Sequence, residues 1–158
     1  MPTYHSLPLI LAMGLVATSP VVANVTEPSQ AVNTLKIATV TKMYQQDVSN
    51  EGMDNPVVLQ QYASQDLQSA MQLEQDYFDK HQMSCNVDYD VLWDAQDPDY
   101  TQDKKFSMTQ QGLVQVSLAQ GSEIYYDLSC DSNDCQVSDV ILNEDGKSLR
   151  QHFLETCR

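Results

Sequence analysis

The chain has 158 residues, with 22 Asp and Glu against 8 Lys and Arg, for a net charge of −14. That length sets a prior of one domain, and the 42% hydrophobic content excludes a chain disordered throughout. The acidity excludes a nucleic-acid binder of the phosphate-backbone type, which needs clustered Lys and Arg.

Residues 1–23 read as an export signal. Leu7 to Ala17 is an apolar run of 11 residues, too short to cross a bilayer as a helix. Val21-Val22-Ala23 supplies small residues for cleavage after Ala23. Pro8 and Pro20 bracket the run and argue against a buried helix. No later stretch is long and apolar enough to span, so no membrane span is expected after signal cleavage. Residues 24–158 are then one domain in the periplasm or outside the cell.

Residues 24–30 read as a polar lead-in. From Ala31 to Ser49, Val40, Tyr44 and Val48 recur with Leu35 and Met43 at helical spacing. Asn50 to Pro56 breaks that helix, and Val57 to Tyr62 suggests a short second one. Ser64 is placed to cap a third, with Leu67, Ala70, Met71, Glu74, Tyr77, Phe78 and His81 on one face. On that pattern His81 is expected to pack. Residues 84–103 show neither period and carry the one Trp with Asp88, Asp90, Asp94, Asp97, Asp99 and Asp103. Alternation then marks four strands, around Phe106–Met108, Val114–Leu118, Ile124–Cys130 and Cys135–Leu142. Asn143 to Gly146 ends the sheet, and Ser148 caps a last helix with Leu149, Phe153 and Cys157. The order predicts an α+β fold, with N-terminal helices packed on a curved antiparallel sheet and a short C-terminal helix.

A hairpin about Asp131–Asp134 would set Cys130 opposite Cys135, Leu128 opposite Val137, Tyr126 opposite Asp139 and Ile124 opposite Ile141. An even cysteine count in an oxidising compartment reads as two disulfides. Of the three connectivities, the hairpin favours Cys130–Cys135 with Cys85–Cys157. No C-x2-C pair supports a zinc site.

The texts VTKMYQQ (40–46), DYDVLWDAQD (88–97) and CQVSDVILNEDGKSLRQHF (135–153) resemble a bacterial cell-envelope family of the YbjP/YqhG type. Its domain is similar to nuclear transport factor 2. The resemblance implies a cone, a curved sheet wrapped around helices with a pocket inside. It implies no single activity, because such folds host enzymes, binders and immunity proteins.

The candidate chemistry is sparse. A calcium loop starting at Asp97 would have Gln102 where Gly is needed and Met108 where Glu is needed; the acidic stretch reads as a solvated loop and no metal is expected. Tyr126 opposite Asp139 is a candidate acid–base pair for an isomerase or hydratase, set against Asp139 as a structural acceptor near Arg150. No nucleophile-elbow, zinc-protease or phosphate-loop motif occurs. Trp93, among aspartates, is either an exposed anchor or a plug of the core. The expected function is an exported, non-catalytic binding domain without cofactor, of immunity or inhibitor type. Its partner would be a basic protein of the cell envelope, met through Trp93, Asp94, Asp97, Asp99, Tyr126 and Asp139. A small ligand in a pocket at Tyr126 is the alternative.

Overall fold

Why the chain turns where it does is visible in a computed structural model describing residues 27–142 and 146–158, with side chains from residue 30 onward. The expected export signal and residues 143–145 lie outside the described residues. The first helix, α1 (Glu27–Asn50), starts earlier than the polar lead-in suggested. Pro28 falls in its first turn, where the missing N–H has no helical partner to lose. Val40, Met43 and Tyr44 are fully buried along its inner face.

After α2 (Val58–Tyr62), the Ser64 hydroxyl accepts the Leu67 N–H at 3.4 Å and opens α3 (Gln65–His81). Gln82, in the left-handed conformation, closes it through its N–H to the Phe78 carbonyl. The expected stripe is buried only at its start, at Leu67 and Ala70. His81 is exposed, correcting the packing role expected for it. The His81 ring lies on Tyr77, 4.3 Å between centroids, and Tyr77 rather than His81 meets the core.

The four strands β1 (Lys104–Met108), β2 (Val114–Leu118), β3 (Glu123–Cys130) and β4 (Cys135–Ile141) form an antiparallel meander in chain order. Val114, Val116, Leu118, Ile124, Tyr126, Leu128, Val137 and Val140 are buried, and α1 packs across all four strands. The final helix, α4 (Leu149–Thr156), is capped by Ser148, whose hydroxyl accepts the Gln151 N–H at 3.0 Å. It seats Leu149 and Phe153 in the core against α3 and β4. This is the expected α+β arrangement. Among the described residues no helix is long and apolar enough to cross a membrane.

One part of the hairpin departs from its expected register. Cys130 faces Cys135 and Leu128 faces Val137, but Tyr126 then faces Val140, Asp127 faces Asp139 and Tyr125 faces Ile141. A β-bulge leaves Ser138 as an extra residue, and a slip of one residue exchanges the faces of everything beyond it. Tyr126 and Asp139 therefore lie on opposite faces, and Ile124 does not pair with Ile141. The bulge sits where the outer edge of β4 is engaged, the Val137 carbonyl accepting the Ser64 N–H at 2.8 Å.

Cys85–Cys157 and Cys130–Cys135 are both joined, which fits an oxidising compartment. The first closes a separation of 72 residues and the second of 5. In the chain-entropy account these are worth about 4 and about 2 kcal/mol. Replacing Cys85 and Cys157 by Ser should thus cost roughly twice the stability lost on replacing Cys130 and Cys135. Urea unfolding of the two double variants measures this; equal losses would contradict it.

Candidate functional site

Segment 84–103 carries most of the expected site residues, and its shape follows from one turn. The Asp90 N–H donates to the Ala95 carbonyl at 2.9 Å, and Asp90 Oδ1 accepts the Leu92 N–H at 2.9 Å. Asp94 adopts a left-handed backbone, with φ of 48°, which Asp tolerates better than most residues. The turn drives Leu92 and Trp93 inward, leaving Trp93 with no exposed surface. Trp93 is therefore the plug and not the exposed anchor.

Its indole N–H donates to Asp47 Oδ2 at 2.6 Å. The ring meets Tyr44 and Tyr100 edge-on, each at 5.3 Å, and the Lys104 ammonium lies over it at 5.2 Å. Tyr100 in turn presses on the α1–α2 loop. A Cβ on Gly52 would run into the Tyr100 hydroxyl, and the φ there is +69°, so the position favours glycine.

Above this plug the carboxylates are on the surface. Asp88, Asp97, Asp99 and Asp103 are exposed and Asp94 is half-buried. The Thr101 hydroxyl and N–H both donate to Asp99 and hold its carboxyl below the usual range. Segment 84–103 contains no Lys or Arg. The ion pair among the described residues, Arg150 to Asp66 at 3.9 Å, involves none of its acids.

Tyr126 and Asp139 stand apart from this surface and from each other. The Tyr126 hydroxyl meets that of Tyr44 at 2.8 Å, and Tyr44 donates to the Leu92 carbonyl. Burial pushes the Tyr126 phenol far above its ordinary value. Asp139 accepts the Val140 and Arg150 N–H groups at 2.9 and 3.1 Å, with the Ser148 hydroxyl on its other oxygen. It holds the start of α4 and is not placed to act on anything at Tyr126.

The earlier part of the same segment, at Asn86 and residues 89–92, lines a cleft of about 180 Å³. Asp47 of α1 and Asp90 line it together with Val58 and Leu59 of α2, Met71 of α3, and Leu149 and Phe153 of α4. Burial raises both carboxyls above the ordinary 3.8. The Trp93 N–H opposes the rise at Asp47, and the Leu92 N–H opposes it at Asp90. The sequence reading missed both residues as a site. The available signal was a carboxylate on the inner stripe of the first helix, one turn after Tyr44, together with a single Trp needing an acceptor. Among the described residues no group of three or more His, Cys, Asp or Glu is placed to hold a metal ion.

Comparison with protein-family models, curated proteins and solved structures found no match for this chain.

The structural assignment of Asp139 gives a direct expectation. Asp139→Asn removes one acceptor from a buried site that serves three donors, and should lower stability by about 1–3 kcal/mol. Denaturant unfolding would measure it. Unchanged stability would contradict the assignment.

Proposed function

We propose that this chain is an exported, non-catalytic binding domain that presents an acidic face to a basic protein of the cell envelope, as an immunity or inhibitor protein does. In this reading residues 1–23 are the export signal and the mature domain acts in the periplasm or outside the cell, in keeping with the YbjP/YqhG-type resemblance. The observation that carries the proposal is the placement of Asp94, Asp97 and Asp99. They sit on one surface segment that carries no Lys or Arg, with Lys104 just past its end acting on Asp99, and a fully buried Trp93 holds the segment down. Self-repulsion among such charges weakens the compact state, while a cationic surface relieves it and is steered toward it. Separation of Tyr126 from Asp139 supports the non-catalytic reading, since the acid–base pair the sequence offered has no shared site.

Steering makes a kinetic prediction. Changing Asp94, Asp97 and Asp99 to Asn should slow association with a basic envelope protein, such as a cationic cell-wall hydrolase, by about tenfold at low salt, with dissociation little altered. Raising salt from 0.01 to 0.1 M, which shortens the screening length from about 30 to about 10 Å, should remove most of that difference. Surface plasmon resonance separates the two rates. Association at the wild-type rate in low salt would reduce the face to a solvated loop.

A further inference from the structure

The cleft lined by Asp47 and Asp90 has features that solubility does not explain. Asp47 is 4% exposed, yet only Oδ2 is engaged, by the Trp93 indole. No described residue donates to Oδ1. Among the described residues no fully buried side-chain N or O atom lacks a partner, so Oδ1 keeps some accessible surface on a residue that lines the cleft. Asp90 is half-buried, and its carboxyl takes the backbone N–H groups of Leu92 and Trp93 but no hydrogen bond from a described side chain. Two carboxylates, neither paired with a cation, thus line a cleft whose other walls include Val58, Met71, Leu149 and Phe153.

We infer that this cleft is a pocket for an alkylammonium group, namely a lysine side chain of the partner. The apolar walls suit a methylene stem, and the oxygens of Asp47 and Asp90 suit the charged head. Carboxylates on two different residues, each already accepting an N–H, do not present the open two-pronged acceptor that a guanidinium prefers, whereas an ammonium directs its three donors independently. The volume of about 180 Å³ is below the roughly 300–1,000 Å³ of pockets for drug-sized ligands. That scale favours one side chain over a larger molecule. Desolvation already disfavours both carboxylates in the empty cleft, and a cation is the group that relieves this.

The identity of the occupant rests on the reading of a basic partner, but the test needs no partner and so reports on the pocket alone. Trp93 is the only Trp in the chain, and its indole is bonded to Asp47, so its fluorescence reads the cleft. Titration of the full exported domain with N-α-acetyl-lysine amide should give a saturable change. The uncharged N-α-acetyl-norleucine amide should give none, and cadaverine, which carries the same ammonium and methylene stem, should compete with the lysine amide. Asp47→Asn and Asp90→Asn should each weaken lysine-amide binding by about tenfold or more. Both amides keep an acceptor for the indole or Leu92 N–H, and Asp90→Asn alone decides the matter if Asp47→Asn misfolds. A response that does not saturate, that norleucine amide reproduces, or that survives both substitutions would overturn the pocket. Binding of cadaverine without any binding of the lysine amide would overturn the partner side chain as its occupant. Salt-insensitive association with a basic protein would instead count against the acidic face, leaving the pocket result standing.

Discussion

A buried indole must place its N–H somewhere, and in this chain the acceptor is itself an acid that burial penalises. Leaving the Trp93 N–H unpaired would cost about 1–3 kcal/mol. Asp47 supplies the acceptor because Val40, Met43, Tyr44 and Asp47 all fall on the inner face of α1. Trp93 can reach it only because the Asp90–Ala95 turn points it inward. Tyr44 extends the same network, linking the Leu92 carbonyl to Tyr126 at the centre of the sheet. Helix, acidic segment and sheet are thereby fixed by a few polar contacts inside an aromatic cluster. The acidic face is held by this plug from below, and Cys85–Cys157 fixes the start of its segment to the end of α4.

What was legible in the sequence was what is decided locally. The strands read from their alternation, and the hairpin turn from Asp131, whose Oδ1 accepts the Asn133 and Asp134 N–H groups. Once that turn is placed, Cys130 and Cys135 must meet, and the remaining cysteines pair by default. Ser64 and Ser148 announced two helix starts as caps.

Apart from the early start of α1, the departures involve a partner distant in sequence. No local signal marks Ser138 as a bulge; it is coupled to Ser64, which engages the far edge of β4. One extra residue was enough to turn Asp139 away from Tyr126 and dissolve the expected pair. His81 sits at helical spacing, but Tyr77 meets the core in its place. Trp93 carried both readings in the sequence, and only the position of Asp47, 46 residues earlier, decides between them.

The central claim is that the Trp93–Asp47 contact anchors the acidic face on the core while sustaining an ionisable group at the cleft. Burial raises the Asp47 carboxyl above its ordinary 3.8, so above that value the folded chain binds more protons than the unfolded one. Stability contributed by this group therefore falls as pH rises through that window. With a single Trp, the indole Nε1–H gives one resonance in a proton–nitrogen correlation spectrum, and following it with pH and in deuterated solvent tests the contact directly. The structure predicts slow exchange with solvent and a resonance that moves with a midpoint above 3.8, the movement vanishing in Asp47→Asn. An indole N–H that exchanges as fast as an exposed one, or that ignores pH in the wild type, would contradict it.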